Sequence, residues 1–78
     1  MSRYQLPDDM VIFLIFLTVH GTPLQRSAAR LLLDCIRDQK KLSEIDNCLW
    51  EAEASKPGIS TEARMLAKEV GLDVPQAH

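Results

Sequence analysis

From Met10 to Val19 every position except Thr18 is apolar, so no spacing of polar residues gives this stretch a wet side. As a helix it asks to be enclosed all round. Pro7 precedes it, Asp8 and Asp9 put two carboxylates in its first turn, and His20-Gly21 closes it. Acids suit the start of a helix dipole, and glycine suits a left-handed cap at its end. Val11, Ile12, Ile15 and Val19 would also fit a buried strand. No second strand-like run exists to pair with one. The pattern therefore predicts a helix over Asp8–Val19, the central and fully apolar element of the fold.

The next element opens with Thr22 as a cap, Pro23 at the first helical position and Gln25 completing a T-x-x-Q capping box. It is expected to run to about Lys40. At 100° per residue its apolar positions Leu24, Ala28, Ala29, Leu31, Leu32, Leu33, Cys35 and Ile36 span roughly 200°. A surface helix shows a stripe nearer 100°, so this one should pack on two neighbours. Ser43 is expected to start a third helix, with Ile45, Cys48, Leu49 and Ala52 as one buried stripe. Ser55-Lys56-Pro57-Gly58 breaks it. Ser60 or Thr61 should cap a fourth, which turns Ala63, Leu66, Ala67 and Val70 inward and ends at Gly71. The expectation is all-α: one domain over 1–78, a small bundle of four short helices, with an N-terminal arm at 1–7 and a flexible tail at 73–78 containing Pro75.

At 78 residues, a single core gives only a few kcal/mol and needs help. Two cysteines on predicted apolar faces, Cys35 and Cys48, read as reduced core thiols and not as a disulfide frame. Association is the remaining source of buried area. A homodimer is expected through the first and second helices, with Phe13, Phe16, Ala29, Leu33 and Ile36 as its self-association residues. The apolar run is about half what a membrane-spanning helix needs, and acids flank it where a leader would carry basic residues. A soluble, cytoplasmic protein is expected, without a membrane partner.

Charge adds one feature. Residues 22–42 hold Arg26, Arg30, Arg37, Lys40 and Lys41 against two acids, and residues 43–55 hold Glu44, Asp46, Glu51 and Glu53 with no base. Such segments can pair across a hairpin or a dimer interface. The stripe Arg26, Arg30, Arg37 and Lys41 resembles a phosphate-binding face. It is broken by Asp34 and Asp38, with Arg30–Asp34 at i, i+4, and lacks aromatics for base stacking. A solvated face fits it better. With pI ≈ 5.5, the chain is a poor default binder of nucleic acid.

Chemistry has little to stand on. His20 sits at a helix end and His78 in the tail. Cys35, Cys48 and His20 lack metal-ligand spacing, and there is neither a nucleophile turn nor a phosphate loop. No catalytic residue, metal or cofactor is expected, and the protein is not expected to be an enzyme. Trp50 lies off the buried stripe of the third helix, near Asp46 and Glu53. Those three form the candidate partner-binding site, a large aromatic among carboxylates that suits a basic protein partner. The plainer alternative has Trp50 closing the core edge. Residues 61–78, with Ala67 four before Gly71, resemble the start of a helix-turn-helix, although Asp73–His78 leaves little room for a recognition helix. The favoured expectation is a small regulatory or adaptor protein acting by protein–protein binding, with inhibition of the partner as one mode. The alternative is a small DNA-binding transcriptional regulator with a degenerate helix-turn-helix at 61–78.

Overall fold

The computed structural model describes residues 8–38, 40 and 42–72. The expected arm at 1–7 and tail at 73–78 lie outside them. Four helices follow in order: α1 (Asp8–His20), α2 (Pro23–Arg37), α3 (Leu42–Ser55) and α4 (Ile59–Glu69), with no strand among the described residues.

Helix α2 is the organising element. Its Thr22 cap is built as expected: the hydroxyl accepts from the Gln25 N–H at 3.2 Å, and the Gln25 side chain accepts from the Thr22 N–H at 3.0 Å. The helix stops at Arg37, short of Lys40. The Asp38 N–H returns to the Asp34 carbonyl and the Lys40 N–H to the Cys35 carbonyl, which closes the last turn. The broad apolar arc does what its width implied. Helix α2 packs against both α1 and α4, while α3 packs mainly on α4.

The buried core draws Leu14 and Leu17 from α1, Ala28, Ala29, Leu32 and Cys35 from α2, Ile45 and Leu49 from α3, and Ala63, Leu66 and Ala67 from α4. Val70 and Leu72 extend it beyond α4. The end of α4 is a paired closure in which the Gly71 N–H bonds the Lys68 carbonyl and the Leu72 N–H bonds the Ala67 carbonyl. That geometry folds Leu72 back onto the core.

Three expectations need correction. First, α1 is neither central nor enclosed. Leu14 and Leu17 are buried, with Met10 and Phe13 packed partly beside them. On the opposite side Ile12 is 63%, Ile15 49%, Phe16 54% and Val19 62% exposed. Second, Gly21 is not a left-handed cap, because positive φ occurs only at Gly58 and Gly71 among the described glycines. Its role is steric: a Cβ there would stand 2.7 Å from the Leu17 carbonyl oxygen and 2.9 Å from Gln25 Cβ. A bare Cα lets α1 turn tightly into α2. Third, α3 begins at Leu42, one residue before Ser43, and α4 begins at Ile59 without a Ser60 or Thr61 cap. Its N-cap is Gly58 at φ 94, a residue with no side chain to offer.

Candidate functional site

The orphan N–H groups at the start of α4 are met from α3. Glu53 Oε2 accepts from the Gly58 N–H at 2.6 Å, and Glu53 Oε1 accepts from the Ser60 N–H at 3.2 Å and from the Ser60 hydroxyl. The Ser60 hydroxyl first, then the Gly58 N–H, hold the Glu53 carboxyl below its ordinary range. A negative group also suits the positive end of α4.

Asp46 is engaged too. Its carboxylate pairs with the Arg64 guanidinium of α4, and both side chains are about four-fifths covered, at 21% and 23% exposure. Arg64 Nε is buried without a partner among the described residues, so Asp46 carries that guanidinium alone. Two of the three expected partner-binding residues thus fasten α3 to α4.

Trp50 remains open at 55% exposure, which sets aside the alternative that it closes the core edge. Its neighbours on the outer face are Asn47, Glu51 and Ala54, all exposed and spaced i, i+3, i+4, i+7. With Asp46 and Glu53 engaged, the exposed carboxylates of α3 are those of Glu44 and Glu51, roughly 100–120° round the helix from Trp50.

The five expected self-association residues separate. Phe16 faces outward, and its ring lies 4.7 Å from that of His20, tilted by 36°. Phe13, Leu33 and Ile36 are partly buried against the core. Ala29 is wholly buried within the chain, so it has no surface left to offer a second copy. The residues that the sequence pattern did not single out, Ile12, Ile15 and Val19, align with Phe16 along one open face. An unbroken apolar run hides such a division, because every position looks equally suited to burial.

Both cysteines are free, Cys35 buried and Cys48 half-buried. Burial first, and the neighbouring Cys48 thiol second, push the Cys35 thiol up to about 12. A thiol held neutral in this way is inert. No group of three or more His, Cys, Asp or Glu among the described residues is placed to hold a metal, and no described helix is long and apolar enough to cross a membrane. Of the helix-turn-helix resemblance, α4 and its glycine turn are present, but Arg64 is spent on Asp46, and the segment needed for a recognition helix lies outside the described residues. Over the described residues the fold is all-α, with four helices. No family model matches the chain, and no curated protein or solved structure matches it.

Proposed function

We propose that this protein works by binding other protein chains: a second copy of itself through the outer face of α1, and a regulated partner through the Trp50 face of α3. The observation that carries this is the alignment of Ile12, Ile15, Phe16 and Val19 on the side of α1 opposite Leu14 and Leu17. At about 100° per residue the four fall within roughly 100° of one another. Fully burying such a side chain is worth about 1.5–3 kcal/mol, so leaving each half in water forgoes close to half of that. Patches of a few hundred Å² on soluble proteins mark interaction sites.

The charges at the ends of α1 favour a second copy as the occupant. Two α1 helices crossing antiparallel, centred on Ile15 and Phe16, bring Asp8 and Asp9 of one chain beside the His20 end of the other. Their dipoles then also oppose favourably. Phe16 and His20, whose rings already lie against each other at a tilt of 36°, form the rim of that contact.

Trp50 has a different setting, exposed on a helix that also exposes Glu44 and Glu51 and contains no basic residue. That surface suits a basic protein partner: charge steers the encounter, and the indole supplies the desolvated contact. A small dimer that masks a partner's basic surface would act as an adaptor or an inhibitor.

The test is light scattering on a sizing column at micromolar concentration. A mass near twice the chain's 8.8 kDa, falling to the monomer value in Phe16→Lys, supports the proposal. A wild-type monomer across that range overturns the self-association half of it.

A further inference from the structure

We propose that the cleft formed by Thr18, Pro23, Arg26, Ser27, Arg30 and Lys56 is a binding site for a phosphoryl group, separate from both surfaces above. Three parts of the chain build it: the end of α1, the first two turns of α2, and the turn between α3 and α4.

Its charge is one-sided. Two guanidiniums and one ammonium line the cleft, and no carboxylate does. Arg26 and Arg30 are like charges at i, i+4, an arrangement that destabilises a helix when nothing lies between them. The expected relief for Arg30 is absent, because Asp34 pairs with Arg37 at 3.4 Å instead. Arg26, Arg30 and Lys56 make no ion pair among the described residues. In a chain of net charge −2, three exposed cations that make no ion pair among the described residues line one shallow hollow. An anion between them would turn that mutual repulsion into attraction.

The donors select the anion. Guanidiniums present planar N–H forks matched to phosphate oxygens, and an ammonium adds a point charge. The Ser27 hydroxyl is engaged by no other described residue and is free to donate. The Thr18 hydroxyl already donates to the Ile15 carbonyl at 2.6 Å, so it marks the wall without binding the anion. A carboxylate offers two oxygens and one charge to this set, whereas a phosphoryl group offers three oxygens and up to two charges. The cleft volume of about 280 Å³ is at the small end for ligand pockets. It suits a phosphate ester or diphosphate. Such a group comes from a soluble phosphate ester or from an anionic lipid headgroup.

The experiment uses the full chain at low ionic strength with two probes. Inorganic pyrophosphate is titrated by calorimetry, and phosphatidylcholine vesicles with and without phosphatidic acid are tested by co-sedimentation. Pyrophosphate should bind at one site per chain. Arg26→Gln and Arg30→Gln should each weaken it by about tenfold or more, as expected for a charge-assisted contact. Arg37→Gln, whose guanidinium is paired elsewhere, should change it by less than about twofold. Amide shifts of the wild-type protein on adding pyrophosphate should centre on Ser27 and Lys56, a readout that needs no variant. Binding to phosphatidic-acid vesicles alone, with the same pattern among the variants, assigns the phosphoryl group to a lipid. Failure of both probes to saturate, or equal loss in Arg37→Gln, overturns the site.

Discussion

Glu53 reaches forward seven residues to hold both the N–H and the hydroxyl of Ser60, so the last turn of α3 serves as the cap of α4. The glycine at the N-cap could not do this, and the chain reversal at Lys56-Pro57-Gly58 makes it possible.

This contact gives a pH dependence with a definite sign. Because folding lowers the Glu53 pKa, its contribution is complete above the ordinary glutamate value of about 4.3. It is lost as pH falls below that toward the folded value. The melting temperature, followed by circular dichroism, should drop on acidification through this window. Glu53→Gln should melt several degrees lower at neutral pH and show a shallower acid slope. An unchanged slope in the variant would show that another carboxyl controls the transition.

Asp46→Asn should cost about 2 kcal/mol, the scale for losing a hydrogen bond to a charged group, because it leaves the largely covered Arg64 guanidinium without its charged partner. Urea denaturation measures this. A cycle with Arg64→Met should show the two losses to be strongly non-additive.

Phe16 and Leu14 sit two positions apart on α1 and should behave oppositely. Leu14→Ala opens a cavity and should destabilise by about 2–5 kcal/mol. Phe16→Lys should leave the melting curve of the dilute protein within a few degrees of wild type while abolishing association. Parallel melting and sedimentation runs separate the two effects.

Under native conditions Cys48 should react with a thiol reagent well before Cys35, whose thiolate is scarce below its raised pKa of about 12. Mass spectrometry of the singly labelled protein should locate the label on Cys48. Fast labelling of Cys35 would mean that α2 opens far more often than its packing implies.

Trp50 should emit at long wavelength and be quenched readily by acrylamide, as its 55% exposure requires. Trp50→Ala should change stability by no more than about 0.5 kcal/mol, and weaken a basic protein partner by about 2 kcal/mol or more.

Much of the fold was written in local chemistry. The Thr22–Pro23–Gln25 start of α2, the Ile45 and Leu49 stripe and the Gly71 closure each depend on neighbours within one or two turns, so sequence spacing reveals them. The two-sided packing of α2 followed from the width of its apolar arc. What escaped depends on distance. Asp46 and Arg64 are 18 residues apart, and nothing local says that this acid, and not Glu44, turns toward α4. Glu53 and Ser60 meet only because the intervening turn reverses the chain. On α1 the difficulty was the opposite one: with no polar residue to mark an outside, the pattern left open which side α2 would cover. Trp50 was legible only in part: a large residue off a clear stripe can close a core edge or stay open, and spacing alone does not choose between them.

The attachment of α1 has a consequence for how the molecule comes apart. It leans chiefly on α2 and is joined to it by Gly21 and Thr22 alone, while α2 is braced on its other side by α4. Detaching α1 exposes Leu14 and Leu17 but leaves the α2–α4 and α3–α4 contacts standing. Helix α1 can therefore open without the rest unfolding, and its amides should exchange with solvent by a local opening of lower free energy than global unfolding.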